Sequence, residues 1–392
     1  MKRIKLGLLA NEFFDLSLGR MGGFGWAARQ LARHFRDHPE LGIDLVFFTG
    51  ELSGAASETL VHDTRLVLRG SSLLNNVQRT RSERVDALLL IDYRPNYRMV
   101  CWSLPRTPMI VWVRDPRPPE DVSKVGSLRV PGAENVAAKG TMALDCTSLG
   151  TIARASRVIG RPIAFGSPEP QLRSKLCGCI GLEVDELSFL PNPIGLQPGE
   201  VRKSHRPQVI FLARLDPYKR PWLFLELARR FPHVEFLLAG KNHFSGEGAW
   251  TLSDVPANVR VLGHIDEADK VRFLSSAWIL INTSIHEGLA VSFLEALACE
   301  TPLLACVNTG SVVSRFGLYA GRFDGTGMEA LPALSAALEQ MLSSPEALRR
   351  IGAEGRAWVE QNHNWPNFLA SFNRLCSKIG LSSSDYNHAD HE

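Results

Sequence analysis

No run of 18 uncharged apolar residues occurs anywhere in the sequence, so the chain offers no candidate transmembrane helix. The opening, MKRIKLGLLANEFF, is basic, but its apolar run is too brief for a signal peptide. It reads instead as a first buried strand, and the expected location is cytoplasmic. A large excess of one charge is also missing, since 44 Lys+Arg face 41 Asp+Glu. No nucleic-acid partner is expected from that balance. Cysteine is scarce and irregular: there are 7, and Cys177-Gly-Cys179 has no second pair with which to build a zinc site. The expectation is of buried thiols in a reducing compartment.

What is present is a long globular chain. Its 392 residues, 45% of them apolar, exceed one ordinary core and point to two domains. Short apolar runs alternate with helical patterns, the signature of βα units around parallel sheets. A first series contains IKLGLLA (4–10), WAARQLARHF (26–35), IDLVFFT (43–49), ALLLID (87–92), MIVWVRD (109–115) and RPIAFGS (161–167). PNPIGLQPGEVRKSHRP (191–207) then breaks the pattern with Pro, Gly and charge, as a linker does. A second series runs from QVIFLARL (208–215) through WLFLELARRF, VEFLLAG, NVRVLG, EADKVRFLSSA, WILINTS and SFLEALACE to TPLLACV (301–307). The reading is an α/β protein of two Rossmann-like parallel-sheet domains, 1–195 and 200–363. A final helix at about 364–380 and a polar tail, 381–392, complete it. Arginines crowd residues 65–129, with 12 Lys+Arg against 6 Asp+Glu. A solvated face and an anionic partner both account for that surplus.

One stretch, HEGLAVSFLEALACETPLLA, carries chemistry. WILINTS ends at Ser284, and ligands of open α/β sheets bind beyond the carboxyl ends of strands. A helix expected from about Ala290 leaves backbone N–H groups around Gly288, Leu289 and Ala290 free for a phosphate. Glu287 then precedes the phosphate site and Glu295 lies just over a turn inside the helix. Carboxylates there would repel phosphate unless they reach past it to hydroxyls, and a carboxylate fork can hold a vicinal diol. One glutamate gripping a sugar and the other a ribose, on either side of a diphosphate, is a nucleotide-sugar arrangement. In FLARLDPYKRPW, Arg214 and Lys219 flank an Asp216-Pro217 turn before a helix that Pro221 can start. A guanidinium and an ammonium so placed can neutralise a leaving diphosphate without a metal. Near the start, Gly22-Gly23-Phe24-Gly25 stands too far from the strand ending at Ala10 for a dinucleotide-binding fingerprint.

These features resemble the retaining glycosyltransferases of family four, which have the GT-B fold. Their E-G-F-G-x-x-x-x-E signature reads here Glu287-Gly288-Leu289-Ala290-Val291-Ser292-Phe293-Leu294-Glu295, and their A-C-G-T-P reads Ala298-Cys299-Glu300-Thr301-Pro302. The resemblance implies that Glu287 contacts the donor sugar, Glu295 the ribose, and the amides of Gly288 and Leu289 the phosphates. Arg214 and Lys219 match the family's G-R-L-x-x-x-K-G segment, with Ala213 and Arg220 in place of its glycines. Gly22 and Gly23 match its N-terminal Gly-Gly loop, a donor-phosphate and acceptor element. The last helix looks like the family's closing helix, which crosses back to the first domain. The implied activity is transfer of a sugar from a nucleoside diphosphate sugar to a hydroxyl of a glycan, lipid-linked or small acceptor, with retention. No Asp-x-Asp motif offers the divalent metal used by the other main glycosyltransferase fold, so neither metal nor cofactor is expected.

Four further positions depart from the pattern. Where the family often has His-Asp, this chain has Arg114-Asp115, a permanent cation that cannot act as a base. That cation would suit a phosphate or an anionic or lipid-linked acceptor, delivered at the inner membrane surface. Ala290 replaces a glycine whose backbone could need positive φ, Ser292 replaces a proline, and Glu300 replaces another glycine. These departures keep two other readings open: a non-catalytic nucleotide-sugar-binding protein and a GT-B nucleotide-sugar epimerase.

Overall fold

The computed structural model describes residues 3–9, 22–53, 60–61, 64–69, 72–91, 97–134, 146–195, 198–244 and 249–381. Ala10, Asp92, most of the polar tail and the chain between Ala10 and Met21 therefore lie outside the described residues. The chain divides into two compact units, one of residues 1–118, 144–192 and 366–392, the other of 119–143 and 193–365.

The first unit is built on strands β1 (Ile4–Leu9), β2 (Ile43–Ser53), β3 (Leu60–Val61), β4 (Thr64–Arg69), β5 (Ala87–Leu90), β6 (Met109–Trp112), β7 (Ile163–Ser167) and β8 (Ser188–Phe189). Their order is β3-β4-β2-β1-β5-β6-β7-β8, and only the β3–β4 pair is antiparallel. β5 and β6 are buried along their whole length, which is why they read as unbroken apolar runs rather than alternating ones. Helix α1 (Gly23–Asp37) turns Trp26, Ala27, Leu31 and Phe35 inward at helical spacing. Helices α2 (Leu73–Ser82) and α3 (Tyr97–Ser103) follow β4 and β5.

Between them in sequence, α4 (Pro119–Gly126) belongs to the second unit, while α5 (Cys146–Val158) and α6 (Arg173–Ile180) return to the first. α5 and α6 approach so closely that a Cβ at Gly150 would sit 2.3 Å from the Ile180 carbonyl oxygen. The cysteine expectation needs correction here. Cys101, Cys177, Cys299, Cys306 and Cys376 are free thiols, but Cys179 is disulfide-bonded. Sequence spacing reports local zinc loops well, but not which sulfurs a fold brings together.

The second unit contains α7 (Pro221–Arg230), α8 (Glu267–Ser276), α9 (Val291–Ala298), α10 (Val312–Arg315), α11 (Leu331–Leu342) and α12 (Pro345–Asn362). Its strands β9 (Gln208–Leu212), β10 (Glu235–Ala239), β11 (Val259–Gly263), β12 (Ile279–Asn282), β13 (Leu303–Ala305) and β14 (Gly317–Tyr319) form one parallel sheet. The order is β11-β10-β9-β12-β13-β14. Sequence order reverses between β9 and β12, the kind of switch point beyond which open α/β sheets bind ligands. Phe224 of α7 packs its ring on Phe211 of β9 and Phe236 of β10, at 5.6 and 5.1 Å between centroids. Such aromatic contacts add to the area they bury. Val130, following α4, joins this core, and Val125 and Leu128 pack with Ile285 and Tyr218.

The last helix, α13 (Trp365–Lys378), packs in the first unit. Its Phe368 lies 5.3 Å from the Trp112 ring, and Lys378 donates to Ser188 at 2.9 Å. Among the described residues no helix is long and apolar enough to cross a membrane.

Candidate functional site

β9 ends in a loop that carries Arg214 and then a tight 3-10 turn, Pro217–Lys219. Asp216 builds this turn: its Oδ1 accepts from the Lys219 backbone N–H at 3.1 Å, and its Oδ2 lies 3.3 Å from Arg214 Nε. Sequence reasoning used Asp216 only as a turn former, but its second oxygen also orients the arginine. Arg220 follows in the left-handed region, φ 47 and ψ 55, and caps α7. A side chain in that conformation costs about 1–2 kcal/mol, which the glycine of the family pattern that this segment resembles would avoid.

The guanidinium is held on three backbone carbonyls. Arg220 is fully buried, and it donates to the carbonyls of Thr283 at 2.7 Å, Ser284 at 3.1 Å and Phe323 at 2.7 Å. Thr283 answers by donating its hydroxyl to the Lys219 carbonyl at 2.7 Å. The turn after β9 is thus clamped to the turn after β12. Arg220 was missed as a site-building residue, and its only sequence signal was its place at an expected glycine.

The clamp brings Lys219 to Glu287. Lys219 Nζ, Ser284 Oγ (2.6 Å) and Asn282 Nδ2 (3.2 Å) all donate to Glu287 Oε1. Oε2 receives no hydrogen bond among the described residues. Burial pushes this carboxyl up, but the Lys219 charge and hydrogen bond, with those of Ser284 and Asn282, bring it below the usual carboxylate range. Glu287 is therefore an ionised acceptor with one oxygen fixed and one available. Thr309 holds its backbone by donating to the Glu287 carbonyl at 2.8 Å.

α9 begins just beyond, with Ala290 as N-cap and no side-chain hydrogen bond at the cap. Ala290 has φ −64 and ψ 131, ordinary extended backbone, so its Cβ meets none of the difficulty that a glycine-like position would impose. Glu300 is the opposite case. It ends the helix at φ 54, as the glycine it replaces would, and Arg356 takes its carboxylate at 3.2 Å. Thr301 is buried and donates to the Leu274 carbonyl at 2.7 Å, tying the end of α9 to α8.

Glu295 lies in α9, almost wholly buried, and Lys270 of α8 donates to its Oε1 at 2.8 Å. Burial outweighs this partner and leaves the Glu295 carboxyl above its usual range. Lys270 is the other residue that sequence reasoning missed. Nothing in EADKVRF marks it, because its partner is on a different helix.

Gly288 and Leu289 form the short link between Glu287 and α9, with Leu289 buried. The remaining sequence-derived candidates are in the first unit. Gly22 is the N-cap of α1, without a side-chain cap, and Gly23 opens the helix with clear space around the position a Cβ would take. Arg114 is buried, with its guanidinium carbon 4.9 Å from the Trp112 ring centroid and 5.8 Å from that of Phe24. Asp115 accepts from Arg117, from Nε at 3.0 Å and Nη2 at 2.5 Å. Among the described residues no group of three or more His, Cys, Asp or Glu is placed to hold a metal ion.

Residues 197–358 match a family model described as glycosyl transferases group 1. Among curated proteins, a D-inositol 3-phosphate glycosyltransferase from Mycolicibacterium smegmatis is 30% identical over 183 residues, 43% of this chain and 40% of that protein. A GDP-mannose-dependent monoacylated alpha-(1-6)-phosphatidylinositol monomannoside mannosyltransferase from Corynebacterium glutamicum is 28% identical over 144 residues, 34% of this chain and 36% of that one. The chain thus matches well under half the length of these relatives.

Among solved structures, HepE of Anabaena in complex with UDP superposes with a TM-score of 0.68 at 14% identity, covering 96% of this chain and 100% of that one. Sucrose-phosphate synthase from Thermosynechococcus elongatus does so with 0.65 at 16% identity, covering 96% and 99%. At such identities the likeness speaks for the fold alone, and the fold is GT-B, two α/β units on parallel sheets.

Proposed function

We propose, from the match of residues 197–358 to the glycosyl transferases group 1 model, that this chain is a retaining, metal-independent glycosyltransferase. It takes a sugar from a nucleoside diphosphate sugar and passes it to a hydroxyl acceptor. The observation that carries the proposal is Glu287: three donors hold Oε1 while Oε2 remains available, immediately before the uncapped start of α9. Relatives include proteins whose names specify glycosyl and GDP-mannose-dependent mannosyl transfer, and one solved neighbour holds UDP-glucose.

In this reading Glu287 accepts hydrogen bonds from donor-sugar hydroxyls and Glu295, with Lys270, meets the ribose. The amides of Gly288 and Leu289 and the start of α9 face the diphosphate. Lys219 and Arg214 neutralise the leaving group as the glycosidic bond breaks. The departing phosphate oxygen accepts the acceptor's proton while the acceptor oxygen bonds to the anomeric carbon on the same face, so no side chain is needed as base. Gly22, Gly23, Arg114 and Asp115, all in the first unit, take donor phosphate and acceptor roles by the family resemblance alone. Arg114 stacked on Trp112 and Phe24 is a rigid cation, suited to an acceptor bearing phosphate or carboxylate.

The deciding experiment is a thermal-shift panel of UDP, GDP, ADP and dTDP, followed by a transfer and hydrolysis assay with the best-bound donor. Binding without turnover of any donor sugar would favour a non-catalytic binding protein. Two substitutions separate the glutamates. Glu295→Gln should weaken nucleoside diphosphate binding by about 1–3 kcal/mol, because the amide gives up charge and one acceptor. Glu287→Gln should leave that affinity intact and abolish transfer. Calorimetry showing equal losses in both variants would overturn the division of roles. Activity in excess chelator is expected to equal that with added magnesium, and a loss on chelation restored by a divalent ion would refute the side-chain account of leaving-group stabilisation.

A further inference from the structure

The second unit holds another concavity, separate from the residues that surround Glu287. It is a cavity of about 320 Å³ whose walls include Lys203, His205, Trp278, Glu300, Pro302 and Arg349. Trp278 stands just before β12 and Glu300 just after α9. The cavity therefore lies at the opposite ends of the two elements that present Glu287 and Glu295.

Its charges are unevenly satisfied. Lys203 Nζ donates to the Cys299 carbonyl at 3.0 Å and to Thr301 Oγ1 at 2.8 Å. These neutral acceptors use two of its three N–H groups, and no carboxylate bonds to it. Burial lowers its pKa to about 8, against the opposing charge of Glu300. His205 and Arg349 are exposed side chains, with no hydrogen bond or ion pair among the described residues. Glu300 is the only carboxylate lining the cavity, and Arg356 already holds it at 3.2 Å.

The apolar part of the wall is fixed. The Trp278 indole donates to the Ser204 carbonyl at 2.9 Å, which sets its plane, and Pro302 and Leu348 flank the space. Two cations, Lys203 and Arg349, and the His205 imidazole thus line a space walled on one side by a held indole.

We propose that this cavity is a second ligand site, which takes a small organic anion whose phosphate or carboxylate meets Lys203, His205 and Arg349 while its ring or apolar body lies against Trp278. The site is independent of the donor chemistry proposed above and stands or falls separately. Lys203 also ties down the end of α9, so replacing it could unfold the unit. Arg349 makes no protein contact of that kind and is the safer position to change.

The test is calorimetric titration of the full chain with phenyl phosphate, benzoate and inorganic phosphate, in the unaltered protein and in Arg349→Glu and Arg214→Gln. One of the two aromatic anions should bind, more tightly than inorganic phosphate, and the tighter of the two identifies the head group. Arg349→Glu should weaken that binding about tenfold or more, a change of about 1.4 kcal/mol, while Arg214→Gln leaves it unchanged. The proposal is overturned if neither aromatic anion binds, or if inorganic phosphate binds as tightly as both. Insensitivity to Arg349→Glu overturns it too. So does a loss confined to Arg214→Gln, which would put the anion in the donor site.

Discussion

Lys219→Met is expected to lower the rate of sugar transfer by on the order of 10²–10³. Lys219 stands in two relationships at once: it donates to Glu287 Oε1, and in the proposed reaction it faces the diphosphate as negative charge develops there. Its methionine replacement keeps the stem and removes the charge. The loss should fall mainly on kcat, because a charge that grows during bond cleavage is felt more strongly in the transition state than in the bound donor.

A second readout separates this from a packing effect. Lys219 is what brings the Glu287 carboxyl below its usual range against burial. Without it that pKa rises, so the acid limb of the pH–rate profile should move to higher pH. Lys219→Arg should recover little, since a planar fork does not replace a point ammonium. A variant with unaltered kcat, raised KM and an unmoved acid limb would sink the leaving-group role.

Arg220→Met should have the largest effect on stability. The buried guanidinium serves the Thr283, Ser284 and Phe323 carbonyls, and its removal leaves those acceptors without donors. At about 1–3 kcal/mol for each of the three acceptors, the loss is on the order of 3–9 kcal/mol. For a unit of this size that corresponds to a fall in its thermal midpoint of roughly 6–36 °C. Arg220→Gly makes the comparison sharper: it removes the strain of φ 47 but still abandons the carbonyls, so it should recover only about 1–2 kcal/mol.

A substitution on the other side of the contact should act similarly. A Cβ added at Gly327 would lie 2.4 Å from Arg220 Nη1 in a backbone already at φ 74. Calorimetry that finds Arg220→Met within a degree or two of the unaltered protein would refute the clamp.

Much of this was legible in the residue order. Fully buried parallel strands announce themselves as apolar runs, and β5, β6, β9, β10 and β12 lie within runs read that way. Glu287 in a loop and Glu295 within the helix that follows are local facts, fixed by where β12 stops and α9 starts. So is the turn at Asp216-Pro217. Helices such as α2 and α6 escaped notice, because each buries only two residues and so carries little periodic apolar signal.

The tertiary structure alone decided how charges pair. Lys219 and Glu287 are 68 positions apart, and Arg220 meets carbonyls 63, 64 and 103 positions away. Lys270 and Glu295 come from different helices. None of these pairings follows from a period along one element, and those of Lys219 with Glu287 and of Arg220 with Thr283 and Ser284 depend on β9 and β12 being neighbours although β10 and β11 intervene in the chain. The same holds for backbone conformation. Ala290 and Glu300 both replace glycines of the family pattern, yet only Glu300 needs the left-handed region. Local sequence names the residue at such a position, and the packing around it sets the φ that the residue must accept.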